Sequence, residues 1–303
     1  MGINLTILGI SAALPAYGRN LSAHLLEING HSLLFDCGEG TQFQLKKFKK
    51  NLNKIESIFI SHTHGDHFFG LPGLLSSMQM TDRKSAIDIY GSKGLEEAIG
   101  AILFQSRSEY SFSITFHIIN PVSKVEIFAN NQYKVFAFPL KHSTETYGYL
   151  FEENTPLLNI RKDFIEAFDI SIESIKEIKN GSDFVDKYGI LHLSKNITKP
   201  PKDKASYAYC SDTAYNENIA EWIKGVGLLY HESTYLEIDK EKADNRLHST
   251  AKQAATIAKL ANAKQLLLGH FSGRYKALDE FKNEAQEVFE NVIIGEDGME
   301  VKL

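Results

Sequence analysis

Metal-binding side chains are concentrated in one short segment, Ser61–His67, which reads S-H-T-H-G-D-H. It directly follows Ile58–Ile60, an apolar run typical of a buried strand. Because strand side chains alternate between two faces, His62 and His64 can point the same way. The glycine that follows permits a sharp turn, which brings Asp66 and the last histidine to a second position. Neutral imidazoles with a carboxylate are typical zinc ligands, so we predict a metal site here rather than a solvated polar loop.

Further ligands are needed, because a zinc ion takes more donors than this segment can supply. His142, Asp212 and His270 each lie just past the end of an apolar, β-type run. If these strands belong to one sheet system, their ends can converge on one edge, where ligands commonly bind in α/β folds. Together with the segment they provide five histidines and two aspartates. That set is enough for two metals, provided that Asp212 bridges them.

Two further clusters are candidates for acid–base chemistry. His231-Glu232-Ser233-Thr234 follows a β-type run, and His248-Ser249-Thr250 precedes a predicted helix, Ala251–Leu260. A histidine just outside a metal site is a good proton donor near neutral pH, so we predict that His248 is catalytic and that Glu232 orients or tunes it. The hydroxyl residues after His248 are also natural helix N-caps, which explains part of that motif without any function. We interpret His231 as structural.

The remaining histidines have no metal-binding companions nearby. We interpret His31, His117 and His192 as surface or satisfied polar residues. His24 lies inside a predicted strand, so both a structural and a functional role stay open.

The elements that must position these residues alternate along the chain. Short β-rich runs are separated by helical patterns, and Asn29-Gly30 between two such runs is a strong hairpin signal. This order predicts an α/β protein with a mixed, largely antiparallel sheet system covered by helices. The stretch 152–204 differs, because its pattern is broken and highly charged. It is either a solvated excursion between two core strands or a protruding substrate arm.

The amino-acid composition limits which classes of protein this chain can belong to. The 303 residues are 43% hydrophobic and 23% charged, which is ordinary for a globular chain. With 33 basic and 38 acidic residues the net charge is −5, which excludes a general basic coat for nucleic acid but not a local patch. The basic stretch Lys46–Lys54 is either a solvated helix face or a track that contacts phosphates. Cys37 and Cys210 cannot build a disulfide scaffold, so we expect a reduced, cytoplasmic setting. We find no apolar run that could span a membrane and no signal peptide.

Seven motifs together are more specific than any one of them. They are Leu34-Phe35-Asp36-Cys37-Gly38-Glu39-Gly40-Thr41-Gln42, Ser61–His67, Pro139-Leu140-Lys141-His142, Tyr209-Cys210-Ser211-Asp212-Thr213, His231–Thr234, His248–Thr250 and Gly269-His270-Phe271-Ser272-Gly273-Arg274-Tyr275. In this combination they resemble the motifs of ribonuclease Z, the tRNA 3′-end endonuclease of the metallo-β-lactamase superfamily. The motifs run to Tyr275, so the resemblance covers nearly the whole chain.

The resemblance implies an αββα sandwich with its active site at one edge. It implies one domain, residues 1–303, with an inserted flexible arm at 152–204. It also implies a homodimer in which the arm of one subunit grips precursor tRNA bound by the other. The arm of this sequence has the expected length but lacks the Gly/Pro-rich tip that is usual in the family.

The resemblance also implies two zinc ions per subunit and a role for each site residue. One ion would be bound by His62, His64 and His142, the other by Asp66, His67 and His270, and Asp212 would bridge them. Two metal ions stabilise the charge that builds on a phosphodiester under attack by water. We expect Asp66 to hold that water and accept its proton. His248, supported by Glu232, would protonate the leaving 3′-oxygen, which leaves a 3′-hydroxyl on the tRNA and a 5′-phosphate on the trailer.

Two other activities fit parts of the same pattern. Another di-zinc hydrolase of this fold would act on a small phosphodiester or ester and ignore tRNA precursors. A di-iron oxygen or nitric oxide reductase of the superfamily would carry a glutamate where this sequence has His64. A purely structural role would leave Asp66 and His248 without a purpose.

Overall fold

The computed structural model describes residues 3–107, 109–154, 157–168, 170–200 and 204–303. The chain divides into two compact units. The larger unit comprises Met1–Asn130, Lys134–Phe151 and Ser206–Leu303, and the smaller comprises Asn131–Tyr133 and Glu152–Ala205. Within the described ranges, no helix is long and apolar enough to cross a membrane.

Strands are numbered in chain order. They are β1 (Ile3–Gly9), β2 (Ser11–Ala12), β3 (Ala23–Ile28), β4 (His31–Phe35), β5 (Ile55–Phe59), β6 (Ile87–Gly91), β7 (Ile114–Ile118), β8 (Val125–Ala129), β9 (Tyr133–Pro139), β10 (Tyr147–Glu153), β11 (Asn159–Ile160), β12 (Phe184–Val185), β13 (Leu191–His192), β14 (Thr198–Lys199), β15 (Ser206–Cys210), β16 (Leu228–Glu232), β17 (Gln265–Gly269), β18 (Phe271–Ser272), β19 (Val292–Ile294) and β20 (Glu300–Lys302).

Helices are numbered in the same way. They are α1 (Thr41–Lys47), α2 (Gly65–Phe68), α3 (Gly70–Met80), α4 (Lys93–Gln105), α5 (Lys162–Ala167), α6 (Ile172–Lys179), α7 (Ser194–Ile197), α8 (Asn218–Trp222), α9 (Lys240–Arg246), α10 (Ala251–Leu260) and α11 (Asp279–Gln286), with 3₁₀ turns at Leu52–Lys54 and Glu237–Asp239.

Two seven-stranded sheets form the centre of the larger unit. Their strand orders are β20-β1-β3-β4-β5-β6-β7 and β19-β17-β16-β15-β10-β9-β8. The predicted hairpin at Asn29-Gly30 is confirmed, because Ile28 pairs with His31 in an antiparallel ladder. The sheets are mixed, as predicted. However, the pairing is parallel from β4 to β7 in the first sheet and among β15, β16, β17 and β19 in the second, where we expected a largely antiparallel system. The helices between these strands are crossovers that return the chain to the same edge, which makes neighbouring strands parallel.

Aromatic side chains fill the space between the two sheets. Phe35 of β4 lies 5.5 Å from Tyr207 of β15, and Phe59 of β5 lies 5.4 Å from Tyr149 of β10, measured between ring centroids. His24 of β3 shares a 2.6 Å hydrogen bond with the hydroxyl of Tyr207. The inner layer is therefore an aromatic core of tilted and edge-to-face ring pairs, with a polar bond across it.

Helices cover the outer faces of both sheets. Leu45 of α1, Leu74 of α3 and Leu95 of α4 are buried in one hydrophobic cluster with first-sheet residues such as Leu34 and Ile58. On the second sheet, α10 contacts β16 and β17, and α11 contacts β19. The larger unit is thus a helix–sheet–sheet–helix sandwich, which confirms the αββα architecture.

Local sequence explains how α10 begins. The side chain of Thr250 accepts a hydrogen bond from the backbone N–H of Gln253, and the Gln253 side chain accepts one from the backbone N–H of Thr250. This reciprocal capping box confirms the predicted N-cap. It also fixes the chain direction just after His248.

The smaller unit has its own secondary structure. Its core consists of Ile160, Ile178 and Ile197, which come from β11, α6 and α7. Strands β11 and β14 pair with each other, as do β12 and β13. Asp186 organises the β12–β13 hairpin, since it accepts hydrogen bonds from the backbone N–H groups of Tyr188 and Ile190 at 2.8 and 3.0 Å.

Both cysteines are free and fully buried. Cys37 follows β4, and Cys210 ends β15. Burial raises the pKa of the Cys37 thiol to about 12 and raises that of Cys210 as well.

Candidate metal centre

The predicted metal-binding segment begins two residues after the end of β5 and runs into the short helix α2. His62 and His64 follow the strand, whereas Asp66 and His67 lie on α2. The helix α3 begins immediately afterwards at Gly70, where an added Cβ would lie 2.0 Å from the carbonyl oxygen of Gly38. Only glycine allows this close approach of backbones, which packs the segment against the end of β4.

A first cluster of donor atoms brings together three histidines and one aspartate. His64 Nδ1 lies 3.0 Å from His62 Nε2 and 3.2 Å from His142 Nε2. Asp212 Oδ2 lies 3.7 Å from both Nε2 atoms. These residues follow the ends of β5, β9 and β15, so the three strand ends converge as the sequence predicted.

A second cluster lies on the other side of Asp212. His67 Nε2 and His270 Nε2 are 3.2 Å apart, and Asp66 Oδ2 is 3.4 Å from each of them. Asp212 Oδ1 lies 3.4 Å from the His67 nitrogen and 3.2 Å from the His270 nitrogen. The two oxygens of Asp212 therefore face different clusters, which is the geometry of a bridging carboxylate.

Hydrogen bonds at the outer ring nitrogens fix the tautomers of four histidines. His67 Nδ1 donates to Asp36 at 2.7 Å, and His142 Nδ1 donates to the Leu247 carbonyl at 2.9 Å. His62 and His270 face hydroxyl oxygens whose own protons go to carboxylates, so their Nδ1 atoms donate as well. The partners are Ser61, which donates to Asp36, and Thr234, which donates to Glu232.

In their neutral forms the rings of His67 and His270 therefore both carry a lone pair on Nε2, and these two atoms cannot hydrogen-bond to each other. Two lone pairs 3.2 Å apart repel unless a proton or a metal cation lies between them. A tetrahedral ion with metal–nitrogen distances of about 2.0–2.1 Å separates its donors by about 3.3 Å. The donor set and its spacing thus fit a metal ion in each cluster.

The local electrostatics agree with this fit. Burial lowers the pKa of His62, which keeps it neutral. Burial also acts to lower the pKa of His67, but the carboxylates of Asp212, Asp66 and Asp36 raise it well above its usual value. This concentration of negative charge around one buried imidazole favours a cation.

His248 and Glu232 form the predicted pair beside the clusters. His248 Nδ1 lies 2.8 Å from Glu232 Oε1 and 4.0 Å from Asp212 Oδ2. Glu232 is fully buried and also accepts hydrogen bonds from the backbone N–H groups of Thr213 and Thr234. Burial acts to lower the pKa of His248, but Glu232 and Asp212 raise it to about 9. The two carboxylates therefore favour the protonated form of His248.

Both clusters open into a cleft of about 780 Å³. Its wall includes Asp66 and His248 together with two cationic side chains, Arg246 and Arg274. The two arginines make this cleft favourable for an anionic group such as a phosphate.

The other predicted residues lie outside the clusters. His231 is buried and bonds to the backbone oxygen of Glu232 at 2.7 Å. The remaining histidines have hydrogen-bonding partners, namely Glu56 for His31, Asp88 for His117, Asp186 for His192 and Tyr207 for His24. In the basic stretch, Lys50 pairs with Glu27 and Glu300, each at 2.7 Å.

Sequence reasoning assigned no role to the residues that orient the ligands. Asp36, Ser61 and Thr234 all belong to motifs that we quoted, but their function depends on which imidazole each one meets. Asp36 directly follows β4, just as Asp212 follows β15. That shared position at a strand end was the available signal.

Comparisons with known proteins cover different parts of the chain. A family model described as "Anti-Pycsar protein Apyc1" matches residues 3–160, which include the first five cluster residues but not Asp212 or His270. Ribonuclease Z of Parabacteroides distasonis is 36% identical over 300 residues, 99% of both chains. Ribonuclease Z of Cytophaga hutchinsonii is 41% identical and covers 98% of this chain and 95% of its own.

Solved structures also match nearly the whole chain. The short form of human tRNase Z matches with a TM-score of 0.73 and 29% identity over 98% of both chains. The metallo-β-lactamase fold protein YhfI of Bacillus subtilis shares the fold, with a TM-score of 0.70 at 18% identity. The sandwich and its two His/Asp clusters define a protein of the metallo-β-lactamase fold with a candidate metal centre. Since its relatives match over the whole length, the chain belongs to the ribonuclease Z family of tRNA 3′-processing endoribonucleases.

Proposed function

We propose that this protein removes the 3′ trailer from tRNA precursors with two zinc ions per subunit. The products are a tRNA with a 3′-hydroxyl and a trailer with a 5′-phosphate. The observation that carries the proposal is the pair of donor clusters joined by Asp212, in a chain that matches ribonuclease Z along its whole length.

The seven cluster residues are the proposed ligands. His62, His64 and His142 would hold one ion and Asp66, His67 and His270 the other, with Asp212 shared between them, in keeping with the distances between their donor atoms. When bound, the ions would offset charge on the phosphoryl oxygens and make water more acidic.

Asp66 is the proposed proton acceptor. Its Oδ2 lies at the edge of the second cluster, and the residue lines the cleft, so it can hold water against the phosphate. His67 lowers the pKa of Asp66 even though burial acts to raise it, so that the carboxylate is ionised and able to accept a hydrogen bond.

His248 is the proposed proton donor for the leaving 3′-oxygen. Glu232 and Thr234 occupy the side of Nδ1, so Nε2 is the nitrogen that remains to meet the substrate. Glu232 acts on His248 by orienting the ring and by keeping it protonated.

We further propose that 152–204 is a substrate arm inserted in a single domain, 1–303. The β12–β13 hairpin supports this, because the side chains of Tyr188 and Ile190 are 74% and 56% exposed.

A homodimer is supported by Phe43 and Phe69, which are 70% and 62% exposed on neighbouring helical segments. Two buried thiols without a disulfide support a cytoplasmic location.

One paired assay tests the function. Zinc-reconstituted protein is given a 3′-extended tRNA transcript and, separately, a small chromogenic phosphodiester. We expect a single cut at the 3′ end of the tRNA and much lower efficiency on the small substrate. Efficient turnover of the small substrate with intact transcript would instead indicate a small-phosphodiester hydrolase.

The two acid–base roles have separate tests. Asp66→Asn should lower kcat by about 10²-fold or more, and the deficit should persist at saturating zinc if Asp66 accepts the proton. Full recovery of kcat at saturating zinc would mean that Asp66 is only a metal ligand.

His248→Ala should be partly rescued by a substrate in which sulfur replaces the departing 3′-oxygen, because a better leaving group needs no proton. Equal defects on both substrates would contradict the role of His248.

A further inference from the structure

A backbone contact links Asp66 to a turn that also lines the cleft. The N–H of Ala13 donates to Asp66 Oδ2 at 2.7 Å. Ala13 has a φ of +60°, a left-handed conformation that alanine rarely adopts. The Ser11 hydroxyl donates to the Leu14 carbonyl at 2.7 Å and closes the turn. Because the backbone is strained, surrounding contacts must hold this turn in place.

The turn is anchored through Asn20. The carbonyl of Asn20 accepts a hydrogen bond from the N–H of Ser11 at 2.8 Å. Asn20 is itself held by Asp297, whose Oδ2 accepts from both the backbone N–H and the side-chain amide of Asn20 at 2.8 Å. A third donor, the side chain of Gln44 on α1, reaches the same oxygen at 3.1 Å.

Asp297 has no place in the metal clusters or the acid–base pair. It lies between β19 and β20 and is only partly exposed. Its Oδ1 is buried and has no hydrogen-bonding partner among the residues that the structure describes. Within the described part of the chain, all the hydrogen bonds of this carboxylate are accepted by Oδ2. Its structural role is therefore to fix the groups that donate to that oxygen.

We infer that Asp297 is a positioning residue for Asp66, acting through Asn20 and the Ser11–Leu14 turn. It fixes Asn20, Asn20 fixes Ser11, and the turn presents the Ala13 N–H to the Asp66 carboxylate. The inference rests on the proposed role of Asp66 as proton acceptor. A misplacement of about 1 Å at a reacting group can cost about 10²-fold in rate, so a distant clamp can matter for turnover.

Kinetics on the full-length, zinc-saturated enzyme test this assignment. Asp297→Ala should lower kcat for a 3′-extended tRNA by about ten- to a hundredfold and leave KM unchanged. Asp297→Asn, which retains an acceptor oxygen of the same shape, should restore most of the rate. The neighbouring Glu296→Ala is the matched control, because it removes the same charge from an exposed side chain and should have no effect. A rise in KM with normal kcat, or no rescue by asparagine, would overturn the inference.

A double-mutant cycle separates positioning from general damage. If Asp297 acts through Asp66, Asp297→Ala should add little to the defect of Asp66→Asn, whereas independent effects would multiply. Multiplied defects would overturn the inference. Should Asp297→Ala fail to fold, Asn20→Ala replaces it in the cycle, since it removes one of the two bonds to Asp297.

The inference and the proposed function can fail separately. Full activity of Asp66→Asn at saturating zinc would refute the role of Asp66 itself. An impaired Asp66→Asn beside a fully active Asp297→Ala would refute only the role of Asp297.

Discussion

Asp36 shows how a residue outside the donor clusters controls one inside them. Its carboxylate accepts hydrogen bonds from the backbone N–H and hydroxyl of Ser61, from the hydroxyl of Tyr209 and from His67 Nδ1, at 2.7–2.8 Å. It therefore orients His67 directly and His62 through Ser61. An anionic partner also makes the opposite ring nitrogen a stronger donor to a metal.

Asp36→Asn should weaken zinc binding at the second cluster by about 10- to 100-fold, because the amide keeps the shape but loses the charge. Titration of the metal-free protein with zinc measures the affinity. Asp88→Asn is the matched control, since Asp88 holds His117 at 2.7 Å, away from the clusters. Equal affinities for both variants would contradict the role of Asp36.

Asp212 and His248 should differ in what they contribute to metal content. Asp212→Ala should lose nearly all zinc, since its two oxygens face both clusters. His248→Ala should keep its zinc, because its Nδ1 is held by Glu232. Metal analysis of the purified variants is the measurement, and near-full zinc in both would refute the assignment.

At the scale of elements, the β12–β13 hairpin depends on one carboxylate. A hydrogen bond from His192 and two from backbone N–H groups lower the pKa of Asp186. A lowered pKa means that the bonds contribute stability above the usual carboxyl pKa of about 3.9 and lose it as the pH falls through the folded value.

We therefore expect the hairpin to open in acid and in Asp186→Ala at neutral pH. Amide hydrogen exchange at Tyr188 and Ile190, whose N–H groups donate to Asp186, reports the opening. Asp163→Ala, on the exposed side of α5 in the same unit, is the control and should leave that exchange slow. Fast exchange in the wild type at pH 7 would show that Asp186 does not hold the turn.

The sequence predicted those elements whose signal is local. The hairpin at Asn29-Gly30 and the capped helix α10 depend on adjacent residues, and consecutive ligands identified the segment at the end of β5. Helix α9 was missed, because a short, highly charged stretch has no strong apolar period. The turn at Ala13 could not be predicted either, since its conformation depends on Asn20 and Asp297, which is far away in the chain. The convergence of His142, Asp212 and His270 was predictable only because each follows a strand.

At the scale of the whole molecule, the inserted segment should be separable from the chemistry. Ile160 pairs with Thr198, so deletion of Asn159–Ile197 leaves two neighbouring ends that a short linker can join. None of the cluster residues or the acid–base pair is removed. We expect tRNA cleavage to be crippled and hydrolysis of a small phosphodiester to be spared. Cleavage of tRNA at the parent rate would mean that the segment is only a solvated insertion.

The aromatic layer between the sheets should make the protein sensitive to mild acid. Burial lowers the pKa of His24 to about 3, whereas an unfolded histidine titrates near about 6.5. Below that pH the unfolded chain binds a proton that the folded chain excludes, so stability falls as the pH drops from about 6.5 toward 3, by up to about 1.4 kcal/mol per unit. Urea unfolding of the metal-free protein should show that the free energy of unfolding falls less between pH 7 and pH 5 in His24→Gln than in the wild type. Equal falls in both proteins would exclude His24 as the cause.

The two buried cysteine thiols can be used to measure transient opening of the protein. A thiol reagent attacks only an accessible thiolate, so each cysteine reacts only when its surroundings open. Cys37 lies in the cluster between the first sheet and its helices, whereas Cys210 belongs to the second sheet. Their separate labelling rates, followed by mass spectrometry of peptides, would therefore tell whether the halves of the sandwich open together or one at a time. Zinc should slow both rates if the ions fasten the two sheets to each other.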